Sequence, residues 1–125
     1  MKGMFMDHNI SFGTRGEEAA VEYLKSRGVK ILLRNYRCRY GELDIVGRDR
    51  EYYVIIEVKS RKKREQGHPS EAVNFRKQNR ICRTFDHMRM KHHLPEHLPV
   101  RFDVIEVDGS LRCTWIRNAF EYIGY

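Results

Sequence analysis

Cysteine is scarce: Cys38, Cys82 and Cys113 are the three in 125 residues, odd in number and far apart. That argues against a disulfide framework and fits reduced, buried thiols. Long apolar runs are missing too. None approaches the roughly 18 to 20 residues that cross a bilayer, and the mean hydropathy is −0.68, which argues against a membrane protein. The opening stretch, Met1 to Phe12, contains Asp7 and no extended apolar segment, so it does not read as a signal peptide. No repeat, linker or low-complexity tract divides the chain. The expectation is a cytoplasmic protein of one domain over residues 1–125, with residues 1–12 a flexible N-terminal extension. At 41% hydrophobic it can build a real but small core.

Acid is in short supply relative to base: 17 Asp and Glu against 24 Lys and Arg, a net charge of +7. The imbalance is local. Between Lys59 and Lys91 stand eleven basic and three acidic residues, net +8, while the remainder of the chain totals −1. A basic excess gathered in one segment is the usual footprint of a polyanion partner, although a solvated face would look the same.

Apolar spacing and turn residues yield a coarse order of elements. Ala20, Val21, Tyr23 and Leu24 predict a helix from Gly13 to Arg27, with Glu17 and Glu18 in its first turn and Gly28 as its stop. Val29 to Tyr36 reads as a strand. Glu42 to Gly47 and Glu51 to Ser60 flank a turn at Gly47-Arg48-Asp49-Arg50 and predict a β-hairpin. A polar loop covers Arg61 to Pro69. Ala72, Val73, Phe75, Ile81, Phe85 and Met88 then predict an amphipathic helix from Ser70 to about Met90, closed before Pro95. Arg101 to Val107 and Arg112 to Arg117 are two further strands around an Asp108-Gly109 turn. The order is helix, three strands, helix, two strands, an α/β fold.

The hairpin carries the chemistry. Antiparallel partners keep a nearly constant index sum, and a turn near residues 49 and 50 sets it at about 99 to 101. Asp44 and Glu57 meet that condition and should face each other across neighbouring strands. Alternation places Lys59 on the face of Glu57. Glu57 follows Val54-Ile55-Ile56 and precedes Val58, so the strand is apolar around it. Two like charges brought together there call for a cation. A hard Mg²⁺ or Mn²⁺, held by Asp44, Glu57 and the Val58 backbone carbonyl, satisfies them and keeps positions open for a phosphate. Lys59 would then assist the attacking water or stabilise the transition state. The tripeptide Glu-x-Lys alone is weak, with roughly 0.7 chance occurrences expected from this composition, and an exposed cross-strand ion pair is the plain alternative.

These residues resemble the PD-(D/E)XK nuclease superfamily, and more closely the YraN-like family. The matching segments are Gly16-Glu17-x-x-Ala20 with Tyr23-Leu24, then Arg34-Asn35-Tyr36-Arg37, Gly41-Glu42-Leu43-Asp44-Ile45-Val46 and Glu57-Val58-Lys59-Ser60-Arg61. Gly67-x-Pro69-x-Glu71-Ala72-Val73, Lys77, Arg101-Phe102-Asp103-Val104 and Asn118-Ala119-Phe120 complete them, in order, over nearly the whole chain. The resemblance implies a restriction-endonuclease-like core, a central mixed sheet of about five strands flanked by helices. It also implies metal ligation by Asp44 and Glu57, a catalytic Lys59, and Glu17 approaching the same site from the first helix. The function it implies is that of a metal-dependent endonuclease similar to Holliday-junction resolvases, acting on branched or structured DNA. By analogy with a junction enzyme, which places two cuts symmetrically, a homodimer is expected. A non-catalytic nucleic-acid-binding module of the same fold is the alternative.

For phosphate contacts the candidates are Arg61, Lys62 and Lys63 in the loop and Arg76, Lys77 and Arg80 on the second helix, which fall on one helical face. His87, His92, His93 and His97 lack accompanying Cys-x-x-Cys pairs, and Pro95 separates His93 from His97. They read as solvent or phosphate-contacting histidines rather than a zinc site. Arg101 and Asp103 read as a structural pair.

Overall fold

A computed structural model of the chain describes residues 11–62 and 73–124. The first helix, α1 (Phe12–Ser26), is capped by Ser11, whose hydroxyl accepts the Thr14 N–H at 3.2 Å. Its buried residues, Gly16, Ala20, Val21 and Leu24, recur at helical spacing and form one stripe. Gly28, at φ 87°, turns the chain out of it. Three strands follow, β1 (Lys30–Cys38), β2 (Gly41–Asp49) and β3 (Tyr52–Ser60), then helix α2 (Phe75–Lys91) and strands β4 (Val100–Val107) and β5 (Cys113–Phe120). This is the expected α-β-β-β-α-β-β order.

The five strands form one sheet in chain order. All neighbours are antiparallel except β3 and β4, which run parallel. The parallel step is where α2 crosses over, since parallel neighbours need a connection long enough to return the chain. The helices lie on opposite faces. Ala20, Val21 and Leu24 of α1 pack with Ile45, Val54, Ile56, Ile105 and Val107; Ile81, Cys82, Phe85 and Met88 of α2 pack with Leu43, Val46, Ile55, Phe102 and Val104. The result is a sheet covered on both sides, as the continuous buried runs of β3 and β4 require.

Three boundaries differ from the sequence expectation. Helix α2 opens at Phe75 rather than Ser70: Asn74 caps it, accepting the Lys77 N–H at 2.9 Å, and the Gln78 amide returns to the Val73 carbonyl at 2.8 Å. A capping side chain there outweighs the helical spacing of the preceding apolar residues. The hairpin turn is tighter than the four residues expected. Asp49 pairs with Tyr52, leaving Arg50, at φ 59°, and Glu51 as the loop. Strand β5 runs on through Asn118-Ala119-Phe120 because Asn118 adopts φ 53° and donates its N–H to Asp103 at 2.8 Å. The expected extension over residues 1–12 lies outside the described residues, apart from Ser11, the cap of α1, and Phe12, its first residue.

Arg101 and Asp103 do pair. Asp103 is wholly buried and accepts from Arg101, the Trp115 indole at 2.9 Å and Asn118, while Arg101 also reaches Asp49 at 2.9 Å. The cysteines carry no disulfide; Cys82 is buried in the α2 core.

Candidate metal and nucleic-acid site

Each β2–β3 pair from Ile45↔Ile56 to Asp49↔Tyr52 has an index sum of 101. The hairpin therefore has the register that brings Asp44 and Glu57 together. The ladder stops at Ile45↔Ile56, and at the next step a side chain replaces the backbone acceptor: Asp44 Oδ2 takes the Val58 N–H at 2.9 Å. In a strand the N–H and C=O of one residue point to the same edge. The Val58 carbonyl is thus directed to the edge where Asp44 lies.

Where the strands part, an open cleft of about 380 Å³ is lined by Gly41, Glu42, Asp44, Glu57, Lys77 and Arg80. Gly41 lets α2 come this close: its φ is 152°, and a Cβ there would stand 3.0 Å from Thr84 Oγ1. Glu57 Oε1 lies 3.3 Å from Lys77 Nζ. Glu57 Oε2 is buried and has no hydrogen-bond partner among the described residues. Burial, then the neighbouring Asp44 charge, pushes the Glu57 carboxyl up from 4.5 to about 7 against the opposing effect of Lys77. Burial also raises Asp44, with the Val58 N–H and Lys77 holding it back.

A second cleft, of about 510 Å³, adjoins the first through Glu42 and is lined by Thr14, Glu17, Glu18, Arg34, Asn35, Arg37 and Glu42. Asn35 sits at φ 53°, a conformation asparagine tolerates better than most residues. With its amide nitrogen toward the carboxylates it reaches Glu17 Oε1 at 3.1 Å and Glu42 Oε1 at 3.2 Å. Burial and the charge of Asp44 raise the Glu17 carboxyl, so Glu17 senses the same pair from the α1 side.

The remaining candidates separate. Lys59 is half-buried, is paired in register with Glu106 of β4, and lines neither cleft. Arg61 is turned inward, its side chain 12% exposed and 3.4 Å from Glu106, so it is not presented as a phosphate contact. Lys62 is exposed. Lys63 lies outside the described residues. Arg76 and Arg80 line an open groove with Phe75 and Asn79, and Arg80 also borders the carboxylate cleft. His87 is bonded to the Tyr36 hydroxyl at 2.6 Å. Sequence reasoning missed Asn35 as a bridge and Lys77 as the partner of Glu57. Both stood in the quoted motifs, but the first depends on a left-handed backbone and the second on how α2 docks.

Two carboxylates, one of them with an oxygen orphaned among the described residues, and a strand carbonyl are hard donors. They suit a divalent ion that retains several waters. Among the described residues no group of three or more His, Cys, Asp or Glu side chains is poised for a metal, so the set is not a closed cage of the kind that structural metals use.

A covered mixed sheet with this hairpin and this cleft has the restriction-endonuclease-like architecture. The comparisons identify the family. Residues 16–107 match the model of Uncharacterised protein family UPF0102, and the chain belongs to that family. It is similar to a UPF0102 protein of Lachnoclostridium phytofermentans, 45% identical over 112 residues, covering 90% of this chain and 94% of that one. One from Clostridium botulinum is 42% identical over 118 residues, with 90% and 96% covered. One from Legionella pneumophila is 37% identical over 110 residues, with 87% and 93% covered.

Proposed function

We propose that this protein binds DNA and hydrolyses its phosphodiesters with a divalent metal, acting on branched or otherwise structured substrates. The observation that carries the reading is the Asp44–Glu57 cleft, in which a buried carboxylate oxygen lacks a partner among the described residues, beside the basic N-terminal half of α2. Asp44, Glu57 and the Val58 carbonyl would hold Mg²⁺ or Mn²⁺, with Glu17 supporting them from α1. The ion, when bound, supplies positive charge against the phosphate and lowers the pKa of the attacking water. Arg76 and Arg80 hold the phosphate backbone, a contact that positions a strand without reading its sequence. Lys59, on the Glu57 face of β3, assists the attack from the rim.

The test is incubation with duplex, single-stranded, flap and four-way-junction DNA in Mg²⁺ or Mn²⁺. Cleavage is expected from the wild type and lost in Asp44→Ala, with DNA binding retained. No turnover on any substrate, with wild type and Glu57→Ala binding metal equally weakly, would sink the enzyme. The Lys77–Glu57 ion pair, which partly neutralises the cleft without a metal, favours a non-catalytic binding module as the second reading. That reading expects DNA affinity indifferent to metal and to Asp44→Ala.

A further inference from the structure

Three acidic side chains, Glu42, Asp44 and Glu57, line one cleft, and one ammonium group, that of Lys77, faces them. Lys77 is the cation within 4.0 Å of either Asp44 or Glu57 among the described residues, and it meets Glu57 alone, at Oε1. Its head satisfies half of that carboxylate: Oε2 remains buried and, among the described residues, unpartnered. Lys77 is also free to withdraw. Its side chain is 42% exposed, so the long stem can swing the charge into water at small cost. Lys59, which the Glu-x-Lys spacing singles out, is instead neighboured in register by Glu106.

We propose that Lys77 is the built-in counter-cation of this site. It neutralises Glu57 while the ion is absent, competes with the ion for that carboxylate, and after displacement remains over the cleft to face a phosphate. The proposal rests on the metal reading above, and it assigns Lys77 a positioning role at the carboxylates in addition to any phosphate contact. Its electrostatic logic is direct. An ammonium at salt-bridge distance stabilises the metal-free form, and a divalent ion must overcome that stabilisation before it binds.

The experiment is Mn²⁺ titration by calorimetry without nucleic acid, comparing wild type, Lys77→Met, Lys59→Met and Asp44→Asn. Lys77→Met keeps the apolar stem and loses the charge; it should bind Mn²⁺ about tenfold more tightly than wild type. Lys59→Met should stay within about twofold. If wild type binds Mn²⁺ through Asp44 and Lys77→Met binds no more tightly, the counter-cation role is wrong while the metal site stands. If Asp44→Asn binds as well as wild type, the metal reading itself has failed. Lys77→Gln, run alongside, keeps the comparison available should Lys77→Met not fold, and is expected to bind Mn²⁺ more tightly than wild type as well.

Discussion

Glu57 is a carboxylate placed where carboxylates do not want to be, 5% exposed with an acidic neighbour. The cause of its raised pKa is first the loss of water and then Asp44, and the consequence is a stability that depends on pH. In the unfolded chain the group ionises near 4.5; in the fold it does so near 7. Between those values the unfolded chain loses its proton first. The stability associated with protonated Glu57 is therefore intact below pH 4.5 and is lost as pH rises through 7, by roughly 3 kcal/mol at most. Glu57→Gln removes that titration. In chelator-containing buffer it should be more stable than wild type at pH 8 and nearly equal to it at pH 4.5, read as urea midpoints; parallel pH profiles would contradict the burial argument. Sequence reasoning reached Glu57 and Asp44 because register follows from index arithmetic, and reached Glu17 through the resemblance. It could not pair Lys77 with Glu57, since only tertiary docking decides which residue of α2 overhangs the cleft. Asn35 was hidden for a different reason: its bridging position depends on a left-handed backbone inside a strand.

At the scale of elements, close approach is controlled by glycine. A Cβ on Gly47 of β2 would meet Val29 Cγ1 at 2.9 Å, the Lys30 carbonyl oxygen at 3.0 Å and Val54 Cγ2 at 3.4 Å. The carbonyl is backbone and cannot rotate aside. Gly47→Ala should thus cost about 1–3 kcal/mol by overpacking the β1–β2 contact. Gly16 of α1 offers the contrast. Its Cβ would strike Ser60 Oγ at 2.1 Å, but that hydroxyl can turn away, leaving the Ser60 Cβ at 3.3 Å, and alanine regains up to about 1 kcal/mol of helix propensity. Denaturant midpoints should rank Gly47→Ala well below Gly16→Ala; the reverse order would mean that the β1–β2 contact yields more readily than the α1–β3 one. The element types and their order were legible from periodicity. The ends were not, because Asn74 and Asn118 act through a cap and a left-handed turn, and neither leaves a trace in hydrophobic spacing.

Over the whole molecule, the charge read from composition and the charge available to a partner are different quantities. Of the basic residues between Lys59 and Lys91, Arg61 is tied to Glu106, Lys77 to Glu57, and Arg83 and Arg89 to Asp86. Arg76 and Arg80 have no ion pair among the described residues and stand along the groove that leads to the carboxylates. A competing basic cleft lies at the C-terminal end of α1, where Arg27, Arg50, Arg101 and Arg117 gather, but Asp49 and Glu51 line it as well and Arg101 is paired with Asp49 and Asp103. Opposite charges so placed cancel much of the field that would steer a polyanion. The two clefts can be told apart by counterion release, because each phosphate contact adds about 0.9 to the salt slope of duplex affinity. Reversing Arg76 and Arg80 together to Glu should weaken duplex binding and flatten the slope of log affinity against log salt by up to roughly 2, whereas Arg50→Glu should leave that slope unchanged. The opposite pattern, a slope altered by Arg50→Glu and indifferent to the double reversal, would route DNA over the α1 end and away from Asp44 and Glu57, and it would remove the electrostatic reason for joining the basic segment to the carboxylate cleft.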